Sequence, residues 1–230
     1  VRQAREFTSL ILHKNFIFPE IRGKGKAALH IFGKYDSPRV QASFSLSPGG
    51  FGKFEAASVE GEAELIGADF LGRFDVDDPF FQGKISVVSN PDGVKADIRL
   101  ARGFAEKILP ALDIVDFTLE GEGSGSFEVR QKNEDVYVKG AFSGGLFKFA
   151  GQNLSDVSAQ LEWQAGTLRF PELQFRLHEG SIKGNALFEP LSQKFEMDFS
   201  GEGMSLTSLY PNVKGMLAFN LKGKGNFPQD

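Results

Sequence analysis

Gly25-Lys26-Ala27-Ala28-Leu29-His30-Ile31 recurs as Gly123-Ser124-Gly125-Ser126-Phe127-Glu128-Val129 and again as Gly215-Met216-Leu217-Ala218-Phe219-Asn220-Leu221, at spacings of 98 and 92 residues. Side chains alternate across a strand, so positions one, three, five and seven of each copy share a face. In every copy that face holds a glycine and three small or apolar residues, while mostly polar or small residues occupy the other. A repeat this long describes one supersecondary unit stacked on itself, not a closed globule around a single core. The functional question therefore concerns what lies along a repeated apolar face.

The same alternation extends outward from the repeat. Val40, Ala42, Phe44 and Leu46 alternate with Gln41, Ser43, Ser45 and Ser47, and Val59, Gly61, Ala63 and Leu65 with Glu60, Glu62 and Glu64. Val94, Ala96, Ile98 and Leu100 follow Asn90-Pro91-Asp92-Gly93, a strong turn signal. Phe117 and Leu119 lead into Gly121, Gly123, Gly125, Phe127 and Val129 on one parity. Val157, Ala159, Leu161 and Trp163 form a further set, as do Ile182, Gly184, Ala186 and Phe188, then Phe195, Met197 and Phe199. Period-two patterning with one polar face marks half-buried antiparallel strands, of which roughly fifteen are expected. The fold class is all-β: an elongated, repetitive, mostly antiparallel sheet with one apolar face.

Two or three short helices interrupt the strands. Phe104, Ile108 and Leu112 fall at helical spacing within residues 103–112, where Pro110 limits the length. Residues 4–12 and 204–210 stand in similar places before the first and third repeat strands, with Thr8-Ser9-Leu10 echoed by Thr207-Ser208-Leu209. All three read as caps on sheet ends. The approximate repeats run 4–102, 103–203 and 204–230, the third incomplete, and the expectation is a fragment of a longer repetitive β protein.

Composition narrows the chemistry. Glycine numbers 27 and phenylalanine 24, beside three tyrosines and one tryptophan. Phe offers a large ring with no polar handle, whereas sugar- or loop-binding surfaces favour Tyr and Trp. The glycines sit on the apolar parity, where they permit bends and close backbone approach. A functional reading adds that they leave open width along the face. Acidic and basic residues number 30 and 26 and are scattered, for a net charge of -4, so no basic stripe is present to meet a nucleic acid. There is no cysteine, hence no disulfide or thiolate chemistry.

Catalytic groups do not converge. His13, His30 and His178 share no short spacing and have no acidic motif beside them, so they read as solvated histidines. Asp75-Val76-Asp77-Asp78 lacks the full calcium-binding loop and reads as a solvated turn before Pro79. Gly33-Lys34, Gly52-Lys53 and Gly223-Lys224 lack the following Ser or Thr and the spaced first glycine of a phosphate loop. Their lysines suit the solvent face of strands, as guards against edge pairing. No catalytic residue, metal ligand or cofactor is assigned, and the chain is read as a non-enzyme.

Lys24-Gly25 through Gly33-Lys34 and Pro38 match Lys214-Gly215 through Gly223-Lys224 and Pro228 position for position at an offset of 190. This form, with the Thr207-Ser208-Leu209-Tyr210-Pro211 run before it and the strings of alternating strands in residues 170–199, resembles the TamB and AsmA-like envelope proteins. The first copy departs from the pattern by about nine extra residues between Leu10 and Gly25. The resemblance implies a folded-over β-sheet with an apolar concave face, set in the periplasm of a diderm bacterium as part of an inner-membrane-anchored protein. It further implies phospholipid acyl chains as cargo, moved between the inner and outer membranes, and an outer-membrane barrel protein as partner.

Parity within this sequence, and not the family, assigns the groove lining. It comprises Leu29, Ile31, Phe44, Leu46, Leu65, Ile98, Leu100, Phe117, Leu119, Phe127, Val129, Val138, Phe142, Phe149, Leu161, Trp163, Phe175, Phe188, Phe195, Phe199, Phe219 and Leu221. An acyl chain of ~16 carbons costs on the order of 12 kcal/mol to expose to water, and an apolar trough offsets most of that. Two other readings use the same alternation: a scaffold that holds outer-membrane β-strands during assembly, and a structural β-solenoid with a dry core.

Overall fold

The computed structural model describes residues 21–34, 37–51, 54–111, 119–133, 135–149, 151–189, 192 and 194–226. The alternating segments form fourteen strands: β1 (Ile21–Lys34), β2 (Ser37–Phe51), β3 (Phe54–Ala56), β4 (Ser58–Ile66), β5 (Asp69–Asp78), β6 (Phe81–Asn90), β7 (Gly93–Phe104), β8 (Leu119–Lys132), β9 (Asp135–Phe149), β10 (Gln152–Gln164), β11 (Thr167–Leu177), β12 (Gly180–Glu189), β13 (Lys194–Ser205) and β14 (Met216–Asn226). Among the described residues two short helices accompany them, α1 (Ala105–Ala111) and α2 (Leu206–Leu209). The chain is all-β. Its strands follow sequence order in the hydrogen-bonded path β1-β2-β4-β5-β6-β7-β8-β9-β10-β11-β12-β13-β14, with β3 pairing β2 off that path, so the sheet is open and not a closed barrel. The helices are shorter than periodicity suggests, because α1 begins at Ala105 and α2 occupies one turn. The segment 4–12 lies outside the described residues.

The chain divides into two units, Val1–Ile98 and Arg99–Asp230. In the first, residues directly opposite one another in antiparallel strands point to the same side, so the registers sort the side chains into rows. One row is Ile31, Val40, Leu65 and Phe70; the next is Leu29, Ala42, Ala63, Gly72 and Val87. Ala27, Phe44, Gly61, Phe74 and Ile85 follow, then Gly25, Leu46, Val59, Val76 and Gly83. These four rows are apolar throughout, except that the first continues from Phe70 to Ser89, a buried hydroxyl. The intervening rows, such as Lys26, Ser45, Glu60, Asp75 and Lys84, carry the charges. A buried cluster of Ala56, Val59 and Val76, packed by Phe44, Phe81 and Ile85, forms the densest part of this unit.

The second unit repeats the scheme. Val129, Val138, Trp163, Leu168, Phe188 and Phe195 form one apolar row, and Gly125, Phe142, Ala159, Leu173, Gly184, Phe199 and Leu221 another. Between them runs Glu128, Lys139, Glu162, Arg169, Leu187, Glu196 and Lys224, whose charges alternate in sign on both sides of Leu187. Helix α1 rests on this unit through Glu106, whose Oε2 accepts a hydrogen bond from the Gly121 amide at 3.0 Å.

The repeat glycines mark a bulge. Between Gly23 and Gly25 the partner strand β2 carries one extra residue, and between Glu122 and Ser124 the partner β9 does the same. Gly23 and Gly121 stand at matching positions with φ of +147° and +144°. A Cβ at Gly23 would also collide with the Pro48 carbonyl oxygen, and one at Gly121 would meet the Leu146 carbonyl oxygen at 2.6 Å. Both positions therefore exclude a side chain.

One local expectation is corrected. Asp75-Val76-Asp77-Asp78 is the end of β5 and not a turn: Asp75 pairs with Lys84 at 2.9 Å across the ladder, and Asp78 accepts from the Ala57 and Phe80 amides at 3.0 and 2.8 Å. His178 lies with Glu179 in the tight turn between β11 and β12, both at positive φ (+49° and +69°), as a two-residue hairpin of the twist-matched kind requires.

Candidate functional site

The apolar side of each unit is the candidate. In the first unit the rows bring together Leu29, Ile31, Phe44, Leu46 and Leu65. In the second they bring together Leu119, Phe127, Val129, Val138, Phe142, Phe149, Leu161, Trp163, Phe175, Phe188, Phe195, Phe199, Phe219 and Leu221. Ile98 and Leu100 are half-buried on β7, and Phe117 lies outside the described residues.

Phe70, Phe74, Phe147, Leu168, Phe170 and Leu173 share these faces and were not anticipated. Phe70 and Phe74 alternate with Gly72 and Val76, a period-two signal that was available in β5. Phe147 is hidden from sequence parity because the bulge at Gly144 and Gly145 flips the alternation. In β11 the register shifts between Phe170 and Leu173, around Pro171, and this again breaks the count.

Burial defines the character of the face. Only Phe70 and Phe147 among the described phenylalanines are buried, and the largest fully buried side chain is Val59, 1% exposed. Phe44, Phe74, Phe127, Phe142, Phe188, Phe199 and Phe219 are all half-buried. On the edge strand β1, Leu29 is 54% and Ile31 50% exposed. Face-to-face sheets bury their inner rows between two layers.

The glycines and phenylalanines of this face form a single device. A Cβ added at Gly61 would meet ring carbons of Phe44 and Phe74, each at 2.7 Å, and one at Gly72 would meet rings of Phe74 and Phe70 at 2.7–3.0 Å. Phe127 covers Gly140, Phe199 covers Gly184 and Phe219 covers Gly201 in the same way. Each of these three is a directly opposed cross-strand pair. Rings laid over glycines stay low against the sheet and meet one another: Phe44 and Phe74 have centroids 5.9 Å apart, and Phe175 and Phe199 pack edge-on at 6.3 Å. At Gly61, Gly72, Gly140, Gly184 and Gly201 the expectation that the glycines leave open width is therefore corrected, because the space over them is occupied by rings.

The opposite side is polar and laced. Gln41 donates to Glu64 and Ser45 to Glu60, both at 3.3 Å, and Gln160 donates to Glu172 at 2.8 Å. Lys139 meets Glu162 at 3.0 Å and Lys222 meets Asp198 at 2.8 Å, and each carboxylate holds its ammonium pKa above the usual lysine value. Two open depressions of about 640 and 530 Å³ are lined mainly from this polar side, by residues such as Ser43, Glu60 and Arg73 in one and Ser124, Ser143 and Ser158 in the other.

Among the described residues no cluster of three or more His, Asp or Glu could hold a metal ion, and no helix is long and apolar enough to cross a membrane. No family profile, curated protein or solved structure matches the chain.

Proposed function

We propose that this chain is a non-enzymatic lipid-handling section, whose apolar sheet faces take up phospholipid acyl chains and shield them from water during passage between the inner and outer membranes. The observation that carries the reading is the set of almost wholly apolar cross-strand rows in each unit, most of whose phenylalanines are half-buried. Contiguous apolar surface on this scale marks an interaction site. Replacing bilayer contacts with ring contacts offsets most of the ~0.8 kcal/mol per methylene that water would impose, with little net affinity to hold the lipid in place. The repeat forms at residues 24–34 and 214–224, similar to the TamB and AsmA-like pattern, support a periplasmic setting and an envelope-spanning parent protein with a barrel partner.

Trp163, the single tryptophan, sits in an apolar row opposite Val138 and Leu168 and is an intrinsic probe. Phospholipid brominated on its acyl chains should quench its fluorescence. Photocrosslinkers at Phe44 and Phe142 should capture lipid, and crosslinkers at Ser43 and Glu128 should not. Equal labelling of the two faces, or a lipid-free mass in native mass spectrometry after exposure to phospholipid, would refute the proposal.

A further inference from the structure

The glycine–phenylalanine pairs bear on which apolar partner the face can take, and this step rests on the acyl-chain reading above. A polypeptide layer packs on a sheet by interdigitation: its side chains enter hollows of the facing surface until the interface reaches interior density. On an apolar face the glycines are where such hollows would lie. Here Phe44 and Phe74 fill the space over Gly61, Phe199 fills that over Gly184 and Phe219 that over Gly201. A flexible unbranched hydrocarbon needs no hollow. It gains dispersion contact by lying along ring faces at ordinary carbon–carbon separations, and half-buried rings seated on glycine offer such a face.

We infer that these ring-on-glycine pairs are the specificity-determining elements of the face, favouring unbranched acyl chains over the apolar side of a polypeptide, whether a strand of an outer-membrane protein or a second copy of this chain. Phe199→Leu/Phe219→Leu in the full 230-residue chain uncovers Gly184 and Gly201 while keeping the face apolar. Two probes are titrated: a brominated fatty acid of ~16 carbons, read by Trp163 quenching, and a strand peptide of about ten residues alternating Val or Phe with Thr. The wild type should bind the fatty acid, ignore the peptide and stay monomeric. Loss of two ring faces should weaken fatty-acid binding about tenfold, and the peptide should then bind measurably.

Unchanged fatty-acid affinity in a variant with wild-type circular dichroism overturns the inference, as does peptide binding or self-association of the wild type through this face. Should that variant not fold, Phe44→Leu/Phe74→Leu in the first unit, read by native mass spectrometry, repeats the test. Absence of fatty-acid binding in the wild type is a different result, and removes the acyl-chain reading itself.

Discussion

Gly72→Ala tests whether the rings truly occupy the space over the glycines. The added Cβ would lie 2.7 and 2.8 Å from ring carbons of Phe74 and 3.0 Å from Phe70, with no backbone atom among its three nearest neighbours. Ordinary carbon contacts begin near ~3.5 Å, so the half-buried Phe74 ring must move by about 0.8 Å. Overpacking of this kind costs about 1–3 kcal/mol. The unfolded chain, stiffened by alanine, returns about 0.4–1 kcal/mol of that. The net expectation is about 1–2 kcal/mol of destabilisation, measured as a lower urea midpoint at unchanged slope by far-ultraviolet circular dichroism. Phe74→Leu in the same chain should rescue part of it, with a coupling of about 1 kcal/mol in the double-mutant cycle. Gly145→Ala is the control, since a Cβ there meets nothing within 4 Å, and it should be neutral or slightly stabilising. Additivity of Gly72→Ala with Phe74→Leu to within about 0.3 kcal/mol, or a Gly72→Ala no worse than the control, would show that the rings are not seated on the glycines.

Phe142→Asp, on the apolar face beside Phe147, should cost about 2–4 kcal/mol in thermal unfolding, while Ser143→Asp one residue away stays within about 0.5 kcal/mol. Val59→Ala removes two methyl groups from the most buried side chain and should cost about 2 kcal/mol by urea titration; Val88→Ala, at a 43% exposed position on the polar side, should cost under about 0.5 kcal/mol. The Lys222 pKa is raised above 10.5 by Asp198, so the pair's contribution is fully present below that value and fades as pH rises through the raised pKa. The stability difference between wild type and Lys222→Met should therefore be constant from about pH 6 to about pH 9 and shrink only in stronger alkali.

The all-β class and the two faces were legible because period two is a local property: Val59, Gly61, Ala63 and Leu65 declare their side without reference to any partner. The three-copy glycine strand was equally readable, but its cause was not. That Gly23 and Gly121 sit at left-handed φ opposite an extra residue in the next strand depends on a register that sequence does not display. The same limit hid the ring-on-glycine pairs. Gly61 is 17 residues from Phe44 and 13 from Phe74, and only the hydrogen-bonded ladder makes them neighbours. The excess of glycine and the excess of phenylalanine were visible as two facts and are structurally one. Local parity also fails wherever a strand is interrupted, which is why Phe147 and Phe170 joined the face unannounced.

What holds such a sheet in register follows from where its specific contacts are. In a sandwich, jigsaw packing against a second layer resists the one-residue slip that would turn every apolar side chain to solvent. Here most phenylalanines of the apolar rows are half-buried, and rings over glycines interlock with their neighbouring strands. The polar side supplies the remaining constraint, because a one-residue slip of β4 against β2 would part Gln41 from Glu64 and Ser45 from Glu60 together. In the second unit a slip of β10 would separate Lys139 from Glu162 and Gln160 from Glu172. Each exposed contact is worth little singly, but cross-strand pairs of matched charge act in concert along a ladder and oppose like-charge neighbours. With register fixed from the polar side, the apolar side is released from the need for a unique packed partner. That release is the physical condition that the proposed acyl-chain role would require.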